Sequence, residues 1–290
     1  MMMEPDGPLL ILDLAFNIFL SYTATMLNIL TIMALKKTKV LPKTLKTLLM
    51  SLAVSDLGVG LVVQPLKVAT SQTSAFKDLT KAFEITAFLL CNASFFGVIA
   101  LTVDRFLAIH LHLRYQEFVT RRRVVITVAL IWTLSTFSSL WELWNSHIHN
   151  IISAIIPPIC LISTGLFYCK IYAAVRRHRK EIHVLHLQQK AQDRKVVPNA
   201  ERIRKSAVGT FYVYILFLVC YLPYICINYI YIISGTNSLL KATENYSLTL
   251  LFLNSSLNPL VYCWKMKEIR HAIMELLRSV MLLRKQADPR

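Results

Sequence analysis

The sequence predicts an all-α membrane protein, a seven-transmembrane helix bundle followed by a short amphipathic eighth helix. Three observations indicate this fold class. Hydrophobic residues make up 55% of the 290 residues and charged residues only 17%, below the roughly 25% of soluble domains. Seven apolar segments each reach the roughly 20 residues that cross a hydrocarbon core about 30 Å thick. The basic residues are concentrated in alternate connections between these segments.

The seven predicted segments follow one another along the chain. They cover about residues 9–35, 44–69, 79–110, 122–142, 149–177, 203–233 and 241–263. We expect helices rather than strands, because an open sheet would leave backbone hydrogen-bonding groups unpaired in lipid. We therefore assign residues 1–263 to a seven-transmembrane domain, and residues 264–290 to an amphipathic helix and a tail.

The chain has a net charge of +16, and its basic residues are distributed unevenly between the two sides of the predicted bundle. Only four of the 32 Lys and Arg residues, Lys67, Lys77, Lys81 and Lys241, fall on one side of the predicted bundle. Positively charged loops face the cytoplasm, so the amino terminus is predicted to be extracellular and the carboxyl terminus cytoplasmic. This distribution favours a multi-pass plasma membrane protein, and nucleic acid is not an expected partner.

The cysteines lie within the predicted helices or at their inner ends. They are Cys91, Cys160, Cys169, Cys220, Cys226 and Cys263. Because none of them falls in an outer loop, we expect no extracellular disulfide.

Segments two, three and seven contain polar residues at depths where a polar group is costly. Asp56 lies near the centre of segment two, and an ionisable residue there is a functional candidate. Asn254 and Asn258 are four residues apart, with Ser255 on the same helical face. Segment three adds Ser94. These side chains either hold a hydrated cation or form a polar network that only joins helices.

Two prolines interrupt the later segments. Pro223 in segment six and Pro259 in segment seven each remove a backbone hydrogen bond and kink the helix. They are either hinges that let the inner half of segment six swing, or sites of passive curvature.

Segment three ends at an acid and an arginine, Asp104 and Arg105, where the helix would leave the bilayer. An arginine at the membrane edge must be paired or must reach water. Such an ion pair is a candidate element with two states.

Markers in all seven segments resemble the rhodopsin-like (class A) family of G protein-coupled receptors, over essentially the whole chain. In chain order they are Asn28, Asp56 with Pro65, Asp104-Arg105-Phe106, Trp132, Tyr168 with Ile171, Phe217 with Cys220-Tyr221-Leu222-Pro223, and Asn258-Pro259-Leu260-Val261-Tyr262. The stretch KMKEIRHAIMELL then resembles the family's helix on the inner membrane surface. One motif alone is weak, but seven in order are specific.

The resemblance implies a receptor, not an enzyme, that binds an extracellular ligand and activates heterotrimeric G proteins when segment six moves outward. Arrestin and the lipid bilayer are further expected partners. Asp104 would hold Arg105 at rest, and Arg105 would turn to the G protein on activation. The residues implied in activation and coupling are Asp104, Arg105, Tyr168, Phe217, Pro223, Pro259 and Tyr262.

The resemblance also implies an allosteric sodium ion, and no other cofactor. The family's sodium pocket is matched at every position, by Asp56, Ser94, Asn254, Ser255 and Asn258. Sodium would favour the inactive state because it binds that state better.

The chain departs from the family pattern at several positions. Thr80 stands in place of the usual outer cysteine, and the second outer loop has no cysteine, as in the melanocortin, cannabinoid and lysophospholipid branch. Tyr221 replaces the toggle tryptophan and adds a hydroxyl that needs a partner. Ile203 stands where an acid often pairs with Arg105, and Glu201 is two residues away. We therefore expect a weaker resting clamp and some basal signalling.

The outer ligand pocket is predicted from depth. Lys67 lies eleven residues outward of Asp56, and Glu84 lies ten outward of Ser94. The two are expected to meet near the pocket mouth, either as a structural ion pair or with one of them receiving a charged ligand group. The predicted pocket residues are Lys67, Glu84, Ala87, Phe88, Cys91, Tyr221, Tyr224 and Asn228.

The resemblance disfavours two ligand types. Ala87 stands where aminergic receptors have their aspartate, and Phe252 where opsins have their lysine. Asn228 matches the purine-binding asparagine of adenosine receptors, but their other contacts are not matched.

Two other functions stay open. A transporter or ion channel would use Asp56 and the Asn and Ser cluster for conduction, but neither an inverted repeat nor broken helices support it. A non-signalling decoy receptor would only sequester ligand, and the intact Asp104-Arg105 and Asn258-Pro259 pairs argue against it.

Overall fold

The structure is a computed structural model that describes residues 7–72, 77–111, 114–144, 146–188, 197–235 and 237–287. Within these ranges the helices are α1 (Gly7–Lys37), α2 (Lys43–Gly58), α3 (Gln64–Gln72), α4 (Lys77–His110), α5 (Tyr115–Phe118), α6 (Arg121–Trp144), α7 (Ser146–Gln188), α8 (Val197–Ser234), α9 (Ser238–Lys265) and α10 (Lys267–Ala287). A π-helical turn, Val59–Val63, joins α2 to α3. The predicted all-α fold class is confirmed.

Six helical stretches of the described chain are long and apolar enough to cross a membrane. They are Gly7–Lys37, Lys43–Ser71, Lys77–His110, Arg121–Trp141, Ser153–Ala173 and Val208–Ser234. The seventh predicted segment corresponds to α9, which has 28 residues and is therefore about 42 Å long. It packs against α8 and α1. Buried polar residues, among them Asn254 and Asn258, make α9 less apolar than the other six.

The bundle has two ends, which are named here by their chemistry. The amino-terminal end holds the start of α1 and the buried Lys67 of α3. The basic end holds Arg105 at the end of α4, and the Lys- and Arg-rich starts of α2 and α6. At the basic end α7 and α8 extend beyond segments five and six, to Gln188 and from Val197.

The π-helical turn between α2 and α3 was not predicted from the sequence. Pro65 follows it and has no N–H to donate back to this turn. Instead, the Ser21 hydroxyl of α1 donates to the Gly60 carbonyl at 2.7 Å. A Cβ at Gly60 would lie 2.8 Å from Thr25 Oγ1, so glycine permits this close approach. The wider turn rotates α3 relative to a continuous α-helix, by roughly 100° for one added residue.

Asn28 and Pro259 together join α1 to α9. Pro259 cannot donate to the carbonyl of Ser255, four residues earlier. The Asn28 side chain donates to that carbonyl at 2.9 Å and to the Ala24 carbonyl at 2.8 Å. The amide therefore satisfies a backbone group that the proline leaves free, and fixes the helix that carries most of the predicted cation site.

Helix α10 is amphipathic and has 21 residues, more than the predicted motif. It packs against α1 and α9. Ile269 and Ala272 are buried against the core, and Lys37 forms a surface salt bridge of 3.3 Å with Glu275.

Candidate functional site

Asp56 is at the centre of a buried polar network between α2, α4 and α9. Its side chain is fully buried. Asp56 Oδ1 accepts hydrogen bonds from Ser94 Oγ at 3.2 Å and from Ser255 Oγ at 2.9 Å. Asp56 Oδ2 accepts one from Asn258 Nδ2 at 2.8 Å. The structure thus brings together four of the five residues predicted for the cation site.

The fifth residue, Asn254, is also buried, but no hydrogen bond from it to Asp56 is described. The Oδ1 atoms of Asn254 and Asn258 are buried and have no hydrogen-bond partner among the described residues. A carboxylate, hydroxyls and amide oxygens are the ligands that hard cations prefer. Buried oxygen atoms without a donor are costly, so a cation or water would stabilise them. The residues present fit a small cation bound by oxygen.

An aromatic cluster of α4 and α8 lies beside this network. Tyr221 stacks on Phe217 with ring centroids 3.8 Å apart. Phe95 of α4 contacts both rings, at 5.4 Å and 5.9 Å. The Tyr221 hydroxyl donates to the Cys91 carbonyl at 3.2 Å, which confirms that this hydroxyl finds a partner. The bond ties α8 directly to α4.

The acid and arginine at the end of α4 form a buried pair. Arg105 donates to Asp104 Oδ2 from Nη2 and from Nε, the latter at 2.9 Å. The Tyr115 hydroxyl donates to Asp104 Oδ1 at 2.6 Å and lies 3.1 Å from Thr44 Oγ1. Burial and the charge of Asp104 raise the pKa of Tyr115 to about 12. The tyrosine therefore stays a donor to the carboxylate at neutral pH.

The tyrosines of α7 and α9 lie at the basic half of the bundle. Tyr168 donates to the Thr210 carbonyl of α8 at 2.8 Å and accepts from Thr102 Oγ1 at 3.2 Å. Tyr262 is buried, and its hydroxyl has no hydrogen-bond partner among the described residues. A buried hydroxyl without a partner is poised to bond when its surroundings change.

A cation–π contact joins the basic ends of α8 and α9. The Lys265 ammonium lies 3.9 Å from the ring centroid of Tyr212 and 3.3 Å from that of Trp264. Trp264 is the neighbour of Lys265 in α9, so only the contact with Tyr212 crosses between helices.

Lys67 is buried at the amino-terminal end, but its partner is not the predicted one. Its ammonium lies 3.7 Å from Asp13 Oδ2 of α1 and donates to the Asn245 carbonyl at 2.8 Å. It also donates to Thr249 Oγ1, which in turn donates to Asp13 Oδ1 at 2.7 Å. The prediction that Lys67 meets Glu84 was wrong. It assumed a continuous α-helix, whereas the π-helical turn reorients α3.

The other predicted pocket residues lie along α4 and α8. Ala87 is buried, and Phe88, Tyr224 and Asn228 are partly buried, whereas Glu84 is exposed. Phe252, at the position of the opsin lysine, is fully buried 5.7 Å below the Lys67 ammonium.

Sequence reasoning missed several residues that complete these clusters. They are Asp13, Phe95, Tyr115, Thr249 and Lys265. Asp13 is an acid within an apolar segment, and such a residue is a candidate for a buried ion pair. Its partner, however, is far away in sequence. Tyr115 lies in a short connection, and nothing in the local sequence points it at Asp104.

Comparison with known proteins gives a consistent picture. The sequence profile described as "7 transmembrane receptor (rhodopsin family)" matches residues 27–150 and 138–262. The chain is 28% identical to melanocortin receptor 4 of Danio rerio, over 86% of this chain and 78% of that protein. It is 26% identical to the histamine H2 receptor of Canis lupus familiaris (79% and 69% covered). It is 25% identical to the adenosine receptor A3 of Ovis aries (94% and 92% covered).

Proposed function

The chain belongs to the rhodopsin family of seven-transmembrane receptors, and from this premise we propose how its buried groups carry a signal between the two ends. It is a multi-pass plasma membrane protein and a G protein-coupled receptor, not an enzyme. It couples an extracellular ligand to a heterotrimeric G protein. The family match does not favour a transporter, a channel or a decoy.

The basic end faces the cytoplasm in this proposal. The amino terminus is then extracellular, residues 1–263 form the receptor domain, and residues 264–290 lie at the inner membrane surface. The uneven distribution of Lys and Arg supports this orientation. Arrestin and bilayer lipid would meet the same basic end.

The ligand binds between α4 and α8 at the amino-terminal end. Tyr221 and Cys91 form the floor, because their hydrogen bond closes the bundle below them. Ala87, Phe88, Tyr224 and Asn228 line the sides and Glu84 the mouth. Lys67 belongs to the wall, since it is 3% exposed and its charge is already paired with Asp13.

The chemical class of the ligand does not follow from the relatives. Their names point to melanocortin, histamine and adenosine, which are unlike one another. Ala87 offers no negative charge to the ammonium group of an amine ligand. We therefore propose a ligand that is held by aromatic contacts and by hydrogen bonds to the Asn228 amide.

The signal passes from the floor of the pocket to the basic end along α8. A ligand that moves Tyr221 would disturb its stack on Phe217 and its bond to α4. Pro223, two residues beyond Tyr221, has no backbone N–H, so α8 can bend there. In α9, Pro259 likewise lacks an N–H, and the Asn28 amide holds the carbonyl that it leaves free, so a bend there would move Tyr262 about that anchored point. Tyr168 would exchange the Thr210 carbonyl for a new partner, and the buried Tyr262 hydroxyl is available.

Arg105 is the group that meets the G protein in this proposal. The observation that carries it is the buried Asp104–Arg105 pair at the basic end, with Tyr115 as a further donor to Asp104. An arginine released from such a pair presents five donors to a partner. Ile203, where the clamping acid often stands, supports some basal signalling. The side chains of Ile203 and Glu201 lie outside the described residues.

Sodium is proposed as an allosteric ligand of the resting state. Asp56, Ser94, Asn254, Ser255 and Asn258 would hold it, and the two unpaired amide oxygens support this assignment. The bound ion would supply the positive charge that a buried carboxylate otherwise lacks. Sodium would shift the equilibrium between the resting and the active receptor because it binds the resting state better.

Nucleotide exchange tests the coupling. Purified receptor in membranes would be combined with a panel of G proteins without added ligand, as wild type and as Arg105→Ala. We expect measurable exchange that Arg105→Ala reduces at least tenfold, about 1.4 kcal/mol. Arg122→Ala, an exposed arginine near the same end, is the matched control. Exchange that survives Arg105→Ala unchanged would refute the assigned role.

A further inference from the structure

Two tyrosines join α7 to α8 by hydrogen bonds that run in opposite directions. Tyr214 of α8 donates its hydroxyl to the Leu161 carbonyl of α7 at 2.9 Å. Tyr168 of α7 donates to the Thr210 carbonyl of α8 at 2.8 Å. The two rings stack, with centroids 4.9 Å apart and an angle of 28° between their planes. This pair, Tyr168 and Tyr214, is named the tyrosine clasp, and its bonds oppose separation of the two helices.

The clasp is buried and closely fitted. Both tyrosines are buried, so water does not compete for their hydroxyls. Gly165 lies one turn beyond Leu161 in α7, and a Cβ there would lie 3.0 Å from the Tyr214 hydroxyl. The absence of a side chain at Gly165 therefore gives this hydroxyl access to the Leu161 carbonyl.

A third tyrosine makes the same kind of contact nearer the amino-terminal end. Tyr229 of α8 donates to the Ala154 carbonyl of α7 at 2.6 Å. Pro158 has no N–H, so it cannot give this carbonyl its helical hydrogen bond. Ala154 is buried, and a buried carbonyl that loses its donor is costly. We therefore expect this outer bond to persist in the resting and the active receptor alike.

The Leu161 carbonyl differs from the Ala154 carbonyl in this respect. The residue four beyond Leu161 is Gly165, which has a backbone N–H and lies in the same helix. The Leu161 carbonyl thus keeps its helical donor when the Tyr214 hydroxyl leaves. The clasp can therefore open at a lower cost than the outer bond.

Pro223 lies between the two contacts along α8. Tyr229 is six residues beyond it, about 9 Å along the axis, and Tyr214 is nine residues before it, about 14 Å. A bend of about 20° at Pro223 would move Tyr214 by roughly 5 Å, which breaks a hydrogen bond. The bond of Tyr229 lies on the other side of the bend and is kept.

We propose that the tyrosine clasp is an autoinhibitory contact. Tyr214 is a positioning residue that holds the part of α8 before Pro223 against α7 in the resting receptor, and the clasp opens when this part swings outward. Tyr229 fixes the part of α8 beyond Pro223, so the movement is confined to the basic side of the proline. The inference rests on the outward movement of segment six proposed above, and adds the contact that opposes it.

Two matched variants test the proposal by nucleotide exchange. Tyr214→Phe and Tyr229→Phe each remove one hydroxyl that joins α7 to α8, on opposite sides of Pro223. With purified receptor in membranes and no added ligand, we expect Tyr214→Phe to raise basal exchange about fivefold, since one hydrogen bond is lost from the resting state. Tyr229→Phe should change exchange less than about twofold, because its bond is present in both states.

Thermal unfolding separates this role from a purely structural one. Tyr229→Phe should lower the unfolding midpoint in detergent at least as much as Tyr214→Phe, because it leaves the Ala154 carbonyl without a donor. The variant with the larger effect on exchange is then not the one with the larger effect on stability. A general loosening of the bundle would place the two variants in the same order in both measurements.

A distance measurement follows the clasp without a G protein or a ligand. Spin labels would be attached at Tyr172→Cys in α7 and Val208→Cys in α8, two exposed positions on the basic side of the clasp, after the two exposed native cysteines are replaced by serine. We expect Tyr214→Phe to increase the population with the longer distance between the labels. Tyr229→Phe should leave the distances as in the wild type.

The outcomes distinguish failure of the clasp from failure of the proposed coupling. Labels that stay equally close in Tyr214→Phe, or that separate equally in both variants, would overturn the clasp. A longer distance without a rise in exchange, while Arg105→Ala still lowers exchange, would overturn its autoinhibitory role. If no variant promotes exchange on any G protein, the proposed coupling fails, and the distances alone decide whether the clasp holds α8.

Discussion

The two ends of the bundle each contain a buried acid–base cluster, and the clusters differ in what they join. At the basic end Asp104 and Arg105 are neighbours in α4. At the amino-terminal end Asp13 and Lys67 come from different helices, and Thr249 of α9 bonds to both. The first pair can break without separating any helices. The second links α1, α3 and α9, so breaking it removes a connection between helices.

This difference suggests that one cluster stabilises the bundle and the other changes during activation. The amino-terminal cluster holds α1, α3 and α9 together at this end by polar contacts. All six cysteines are free. The basic-end cluster is poised to change state, since Arg105 can leave Asp104, its neighbour in α4, without separating any helices.

The largest expected effect comes from breaking the amino-terminal cluster. Lys67→Met leaves the Asp13 carboxylate, whose side chain is 8% exposed, without its cation. We expect a loss of about 3–5 kcal/mol in stability, seen as a large fall in the thermal unfolding midpoint in detergent. Lys81→Met removes an exposed lysine near the same end and should have little effect.

A double variant distinguishes a lost charge pair from lost packing. Asp13→Leu combined with Lys67→Met removes both charges, so most of the stability should return. A double variant no more stable than Lys67→Met would mean that the ion pair is not the reason for the loss.

Asp56 sharpens the comparison, because it is a buried acid whose described partners include no base. In Asp56→Asn the proposed sodium ligand loses its charge. Wild-type basal nucleotide exchange should fall about tenfold when sodium replaces choline, and Asp56→Asn should abolish this dependence. Asn92→Ala, with a partly buried amide outside the network, should keep it. Equal sodium responses in wild type and Asp56→Asn would contradict the site.

At the basic end, Tyr115→Phe removes one donor to Asp104 without removing a charge. We expect basal exchange to rise about fivefold, since a hydrogen bond of roughly 1 kcal/mol is lost from the resting state. Because the pKa of Tyr115 is raised to about 12, its contribution is complete below the tyrosine's ordinary pKa and is lost only as the pH rises towards 12. The effect should therefore be constant between about pH 6 and 9. A decrease in exchange would argue that Tyr115 supports the active state.

The smallest effect is expected from Lys265→Gln. This change removes the cation–π contact with Tyr212 and keeps a side chain of similar length. An exposed contact of this kind contributes about 0.5 kcal/mol, so basal exchange should rise about twofold. Lys267→Gln, an exposed lysine two residues away, is the control, and an equal rise in both would assign the effect to net charge alone.

Much of the fold could be predicted because the signals are local. A run of about 20 apolar residues is needed to cross a bilayer whatever surrounds it, so the order of the helices followed from composition. The Asp56 network could also be predicted, since the helical spacing of Ser255 and Asn258 places them on one face of α9. The structure bears this out by joining both to Asp56.

The contacts that were predicted wrongly or missed have a common feature. Each joins residues that are distant in sequence. The expected Lys67–Glu84 pair assumed an unbroken helix, and the π-helical turn at Val59–Val63 reorients Lys67 towards α1 and α9. Phe95 and Phe96 are neighbours, and only the packing of α4 against α8 places Phe95 on the Tyr221 ring.

The sequence by itself determined seven crossings, their basic and neutral connections, and the acid–arginine pair at the end of α4, because hydropathy and neighbouring charges act over short stretches of chain. Tertiary structure alone decided which acid neutralises Lys67, which carbonyl accepts the Tyr221 hydroxyl, and which helix the Asn28 amide joins to α1. Each of these depends on the rotation and separation of helices that meet only after packing. A shift of one residue in a helix turns a side chain by about 100°, so such partners are fixed only by the assembled bundle.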